Sequence, residues 1–346
     1  MLISTRRGRP VAMLKSLEDD SHVKTRVGQF RALSNGKGFD VAKELVLSKM
    51  KGENFVFAEY GLELHDPELA DSIERVRSDS LVKARKKLIA IEAKFTRRYF
   101  KEVFQLLPEK LRPERRMGFK AYGGMNNTFN LAYEVLSWKV HRALIKAKLE
   151  PYLGFLHSVQ YGKPSLVCDF MEIYRYLIDE FVIGFCQSLK VCDFTVKSED
   201  VSRKRKRKRE YLNRAKTKEL MNGLYDLSES RVDVPRLKHG KSQSVETLIN
   251  EEAWLLAKFL RGEQKKMATT CCRSIFMIIT ILIGAVSCVA GLAFAFYDSE
   301  PLYLKDMTCY HWYEIHQLLA YFSKAFLILL FLIIPHIVVQ GLFKLR

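Results

Sequence analysis

His157, Asp169 and Glu172 are the residues whose types and spacing suit chemistry, and they flank a short turn, Tyr161-Gly162-Lys163-Pro164. The two acids lie three positions apart, so on a helix they share one face. An imidazole and two carboxylates brought together suit a divalent cation. Mn²⁺ accepts mixed nitrogen and oxygen ligands, whereas Mg²⁺ prefers oxygen and keeps several waters. The same spacing fits a plainer arrangement, in which the acids sit near a helix N-terminus and the histidine is merely hydrogen-bonded. Spacing by itself leaves both readings open.

The neighbouring residues fall into three ordered motifs. Leu149, Pro151, Leu153, Gly154, Phe155, Leu156 and His157 follow the pattern G-L-x-P-x-L-G-F-L-H from its leucine onward. Gly162, Pro164, Ser165, Leu166, Asp169, Glu172 and Arg175 follow G-x-P-S-L-x-x-D-x-x-E-x-x-R. Upstream, Asn126, Phe129 (in a leucine place), Asn130, Tyr133 and Leu136 follow N-x-x-L-N-x-x-Y-x-x-L, and Glu92 precedes Tyr99 and Phe100 as in E-x-x-x-x-x-x-Y-F. On these motifs the stretch from Lys24 to Glu263 resembles the universal integrase-nuclease of CRISPR adaptation, the first Cas protein.

That resemblance implies a catalytic and metal-binding set of Glu92, His157 and Glu172, loaded with Mg²⁺ or Mn²⁺. Asp169 is the adjoining acid, a ligand either directly or through water. The implied reaction is attack by the 3′-hydroxyl of a captured DNA fragment on a phosphodiester of the CRISPR array. With water as nucleophile the same site is a DNA endonuclease. Asn126, Asn130 and Tyr133 are expected beside the metal as supporting groups or as structural ones. Arg175 either contacts the scissile phosphate or pairs with Asp179 four residues on. Arg97 and Arg98 are expected DNA contacts. Taken alone, Glu92 reads as an exposed helix glutamate paired with Lys87 or Arg85. Implied partners are DNA (double-stranded, branched or a spacer precursor), a second copy of the chain, and the second Cas adaptation protein. The same ligands would serve a casposon-type transposase. A different class of reading is an inactive, membrane-tethered protein that binds nucleic acid or a partner.

Composition agrees with an anionic partner. Lysine and arginine number 57 against 39 acids in 346 residues, a formal charge of +18, which points to nucleic acid or an anionic membrane surface. Arg203, Lys204, Arg205, Lys206, Arg207, Lys208 and Arg209 form an uninterrupted basic run. It reads either as a phosphate-gripping strip or as a solvated linker or helix face. The seven cysteines show no C-x-x-C pair and no zinc spacing, and most lie in apolar surroundings, which suits reduced thiols in a cytoplasm better than a disulfide scaffold.

These residues need elements to position them, and helical periodicity supplies them. Val41, Leu45, Leu47 and Met50 make one apolar stripe; Leu81, Leu88, Ile91, Phe95, Phe100 and Phe104 make another. Breaks fall at Ser34–Gly38, Gly123-Gly124, Gly162–Pro164 and near Ser228–Ser244. The expected fold is therefore mainly α, with a helical catalytic domain over 25–266. Residues 1–24 hold only the strand-like Pro10–Leu14, where the resemblance implies the remnant of a longer N-terminal β domain. Residues 267–346 differ in kind. Ser274–Phe296 carries no charged side chain, and Ala325–Phe343 is a second apolar run. Basic residues flank the pair on one side, which predicts a two-helix transmembrane hairpin with both ends, and the catalytic domain, in the cytoplasm.

Overall fold

The computed structural model describes residues 2–5, 9–13, 21–62, 67–76, 80–118, 121–202, 205–232, 242–265 and 267. The two apolar runs expected to cross a membrane lie outside these residues; among the described residues no helix is long and apolar enough to do so. The described residues within 1–230 and 243–271 form the first of two units. The first carries the candidate site.

An antiparallel pair, β1 (Leu2–Ser4) and β2 (Pro10–Met13), opens the chain. The helices follow: α1 (Ser21–Ala32), α2 (Gly36–Glu59), α3 (Pro67–Arg75), α4 (Leu81–Val103), α5 (Gly124–Lys146), α6 (Ser165–Met171) and α7 (Arg175–Gln187). A hairpin, β3 (Phe194–Ser202) and β4 (Arg205–Leu212), then precedes α8 (Arg214–Glu229) and α9 (Val245–Arg261). The sequence breaks mark helix starts. Asn35 caps α2, its side chain accepting from the Lys37 amide at 3.1 Å, and α5 begins at Gly124.

The α5 helix is the central post. Phe129, Ala132, Leu136, Val140 and Ala143 on it are buried, and it packs against α6, α7, α9 and β4. The α2 helix lies against α4 and α7. Its buried face includes Val41, Leu45 and Met50 of the expected stripe, with Leu47 only half-buried, but also Lys49 and Glu53. An aromatic chain joins α2, α4 and α5: Phe57 meets Tyr99, Tyr99 meets Phe100, and Phe100 meets Phe129, with centroids 5.0–5.9 Å apart.

One expectation fails for a plain reason. Arg205–Arg209 of the basic run are not a linker or a helix face but part of β4, paired with β3. Alternation in a strand sends successive side chains to opposite faces, so adjacent charges need not crowd one surface. Arg203 and Lys204 lie outside the described residues.

Two glycines separate packing from helix propensity. A Cβ on Gly52 of α2 would lie 2.6 Å from the Tyr176 ring of α7, whereas one on Gly184 would meet nothing within 4 Å. Gly52→Ala should lower stability by about 1–3 kcal/mol through overpacking, and Gly184→Ala should raise it by roughly 0.5–1 kcal/mol. Thermal melts of the two variants, moving in opposite directions, check both.

Candidate active site

The G-F-L-H segment is folded around one carboxylate. Asp169 of α6, fully buried, accepts the backbone N–H groups of Phe155 and Leu156 on Oδ2, at 2.5 and 2.9 Å. Its Oδ1 accepts the backbone N–H of His157 at 2.8 Å and lies 2.7 Å from the His157 Nδ1. Arg85 of α4 holds the outside of the turn, donating to the carbonyls of Gly154 and Phe155 at 2.6 and 2.5 Å. Glycine at 154 is a packing requirement, because a Cβ there would stand 2.7 Å from Asp169 Oδ2. Both oxygens of Asp169 are thus committed to the turn. With Nδ1 facing a carboxylate, His157 keeps Nε2 apart from that contact, an arrangement in which an outer carboxylate can orient a metal-binding imidazole.

Asp169 and Glu172 take different partners. The α6 helix ends at Met171 with Glu172, still helical in its backbone, as its cap, and the Glu172 side chain meets residues of α2 and α7. There its carboxylate meets Lys49 Nζ at 2.9 Å and the Arg175 guanidinium at 3.1 Å. Glu92 of α4 reaches the same ammonium in a short ion pair and also accepts from the Thr96 hydroxyl at 3.0 Å. Its partner is neither Lys87 nor Arg85. Glu53, one turn after Lys49 on α2, lies 3.9 Å from that nitrogen. Glu92 and Glu172 therefore converge on one cationic point, and His157 is near enough to help hold the Glu172 carboxyl down.

Electrostatics follows from burial. Burial alone would lower the Lys49 amine, but Glu172, Glu53 and Glu92 more than offset it and raise it above its ordinary value. Burial would raise Glu172, yet Arg175 and then Lys49 hold it below the usual carboxylate range. Burial pushes the Glu53 carboxyl up, and Lys49 pulls it back down. Lys49 and Glu53 are absent from the sequence motifs. Their signal is a charged pair one turn apart on an apolar helix face, which is legible only once the partner helices are in place.

Around this centre the other expected residues take definite places. Arg175 pairs with Glu172 rather than Asp179, and its guanidinium lies 4.7 Å from the Tyr133 ring centroid. Asp179 is instead the acceptor for the hydroxyls of Tyr133 and, at 3.1 Å, Tyr99. Asn126 and Asn130 do not face the carboxylates. They accept from Arg116 at 3.2 and 2.7 Å, and they bond the backbone of 115–118. Arg116 in turn sits 5.3 Å from the Tyr133 centroid. The two asparagines thus fix the loop before α5. Arg97 and Arg98 are exposed on α4, with Arg97 donating to the Ala93 carbonyl. Arg207 and Arg209 lie 4.9 and 5.4 Å from the Tyr122 ring centroid. A cleft of about 880 Å³ opens beside the carboxylates, lined by Arg116, Arg175, Lys197 and Arg209 with Tyr133 and Tyr211.

The donor chemistry fits a divalent cation, with two carboxylates about one cationic point and an imidazole oriented by a buried acid. Among the described residues, however, no three acid, histidine or cysteine side chains already surround a common ligand position, because Lys49 stands between the two glutamates.

The model of the family described as CRISPR associated protein Cas1 matches residues 1–217. The chain belongs to that family. It is 26% identical over 208 residues to a CRISPR-associated endonuclease Cas1 of Korarchaeum cryptofilum, covering 55% of this chain and 61% of the relative. The match thus spans about six tenths of that relative's length. Among solved structures, a casposase bound to integration product aligns with a TM-score of 0.62 at 19% identity, over 77% of this chain and 72% of the other. A partial Cas6-RT-Cas1–Cas2 complex aligns at 0.61 and 19% identity, over 78% and 79%. At such identity these two establish a shared Cas1-type helical fold.

The Tyr133–Asp179–Tyr99 cluster gives the site a pH signature. Burial raises the Asp179 carboxyl to about 6, even though the hydroxyl of Tyr133 and the nearby Arg175 pull it down. A carboxyl raised from 3.8 in this way favours the folded state when protonated. Its contribution is present below about pH 4 and is lost as the pH rises through about 6. Asp179→Asn should remove that slope, flattening the fall in stability between about pH 4 and 6.5 by on the order of 2–3 kcal/mol. Chemical denaturation at stepped pH measures the difference.

Proposed function

We propose that this chain is a metal-dependent DNA integrase and endonuclease of CRISPR adaptation. The observation that carries the reading is the meeting of Glu92 from α4 and Glu172 from the end of α6 at one cationic point, beside an imidazole whose Nδ1 is committed to Asp169. Glu92, Glu172 and His157 Nε2 would hold Mg²⁺ or Mn²⁺. Bound there, the ion would stabilise charge on the phosphodiester and lower the pKa of the attacking hydroxyl. The chain's own residues do the rest. Asp169 keeps Nε2 of His157 toward the carboxylates. Arg175 holds Glu172 ionised and, with Arg116, Lys197 and Arg209, gives the adjoining cleft a positive wall for phosphates. DNA, a second copy of this chain and the second Cas adaptation protein are the partners that the family assignment supports, and the solved Cas1–Cas2 assembly is consistent with the last.

The likeness to a casposase favours one further reading, a transposase of a mobile element built on the same ligands. The genes adjoining this one, a CRISPR array or a polymerase-bearing element with terminal repeats, distinguish the two.

Glu92→Ala, His157→Ala and Glu172→Ala should each lower Mn²⁺-dependent strand transfer of a 3′-hydroxyl oligonucleotide by about 10²-fold or more, with DNA affinity nearly intact. A variant that keeps wild-type strand transfer removes its residue from the mechanism.

DNA affinity itself is assigned to the hairpin face. Replacing Arg207 and Arg209 together with alanine should weaken binding to unrelated duplexes equally. It should also make the dependence of log affinity on log salt shallower by about 0.9 for each phosphate that the arginines no longer neutralise, about 2 in all. An unchanged slope in fluorescence titrations between about 50 and 200 mM salt, the range over which such effects are read, would place DNA elsewhere.

A further inference from the structure

Lys49 carries a charge in the site that neither the motifs nor the reaction uses. Its side chain is 3% exposed, out of reach of substrate, and its ammonium lies where Glu92 and Glu172 converge. A divalent cation held by those two carboxylates needs the same space, since ligand distances for hard cations are roughly 2.0–2.6 Å. Two cations cannot share that position. The ammonium also cannot be expelled into water, because α2 is packed on α4 and α7.

Glu53 supplies the alternative. It is on the same helix, one turn on, with its side chain 1% exposed and its nearer oxygen 3.9 Å from Lys49 Nζ. Its second oxygen, Oε2, is buried and makes no hydrogen bond. A buried carboxylate oxygen left without a donor is costly unless a partner reaches it in some state of the protein. Lysine has the means, since its four-carbon stem rotates freely enough to move a point charge by an ångström or two without moving the backbone.

We propose that Lys49 is a positioning residue that acts as a resident counter-ion. It draws Glu92 and Glu172 together and yields its place to the metal by withdrawing onto Glu53, so that metal loading is an exchange of one cation for another. The inference rests on the reading of Glu92 and Glu172 as ligands. Its consequence is that the site's affinity for metal is set by residues that do not touch the metal. Lys49 weakens binding by competition, and Glu53 strengthens it by receiving the competitor.

The test is Mn²⁺ binding to the full chain by calorimetry, with thermal melts in chelator and in Mn²⁺. Lys49→Met should bind Mn²⁺ at least about tenfold tighter than wild type, a change of about 1.4 kcal/mol. It should melt earlier in chelator and gain more from Mn²⁺. Glu53→Gln should bind Mn²⁺ several-fold more weakly, although no ligand is altered. In the Lys49→Met/Glu53→Gln double variant the second substitution should lose its effect, because the ion it serves is gone. A purely structural role predicts additive losses instead. Unchanged Mn²⁺ affinity in Lys49→Met or in Glu53→Gln, or additivity in the pair, overturns the exchange. Should Lys49→Met fail to fold, the Glu53→Gln affinity decides alone. Glu92→Gln and Glu172→Gln form the separate arm. If these keep wild-type Mn²⁺ affinity, the ligand assignment itself fails, whereas their loss of binding beside a neutral Lys49→Met sinks only the exchange.

Discussion

An ammonium buried as deeply as that of Lys49 must be met by anions from its surroundings, because an unpaired ion in an apolar core costs more than the fold can supply. Three helices and one helix end answer it. The α2 helix brings Lys49 and Glu53, α4 brings Glu92, and the end of α6 brings Glu172, whose excess negative charge Arg175 of α7 offsets. Such a cluster is poor evidence of stability, since apolar side chains of similar volume serve a core as well or better. Buried charges that converge in this way make chemical sense as a site for cations.

Around that centre the polar groups are layered so that each one is fixed by the next. Asp169 spends both oxygens on the 155–157 turn and thereby orients His157. Asp179 holds the hydroxyls of Tyr99 and Tyr133, the Tyr133 ring lies near Arg175 and Arg116, and Arg116 is held by Asn126 and Asn130. The motif residues outside Glu92, His157 and Glu172 thus each have a defined partner. They keep two guanidinium groups desolvated on one side and pointed toward the cleft on the other, where a phosphate would meet charge that needs no reorganisation.

The hairpin after α7 turns the overall charge of +18 into a surface. Glu210 fastens it to the start of α5, its carboxylate accepting the Gly124 N–H at 2.9 Å and its backbone N–H donating to the Tyr122 carbonyl at 2.8 Å. Phe194 fills the space that Gly124 leaves for want of a Cβ. Anchored so, Arg209 reaches the cleft beside the carboxylates while Lys208 faces solvent.

Much of the site was written in the chain. The G-x-P-S-L-x-x-D-x-x-E segment and its upstream motifs carried the resemblance to the family, and Gly, Pro and capping residues marked turns and helix starts, because those signals are short-range. The apolar stripes of α2 and α4 were legible for the same reason, since a period of about 3.6 is a local property. What the spacing could not convey was partnership. Asp169 and Glu172 are three apart, yet one binds the G-F-L-H turn and the other binds Lys49 and Arg175, a choice made by α2 and α7. Arg175 had an acid four residues on and chose the acid three residues back, since Asp179 was already taken by two tyrosines. The basic run gave its charge but not its strand, as β4 exists only through its pairing with β3. Lys49 and Glu53 had no motif at all. A charged pair on one helix looks like surface until tertiary packing buries it, and burial is decided by helices that lie far away in sequence.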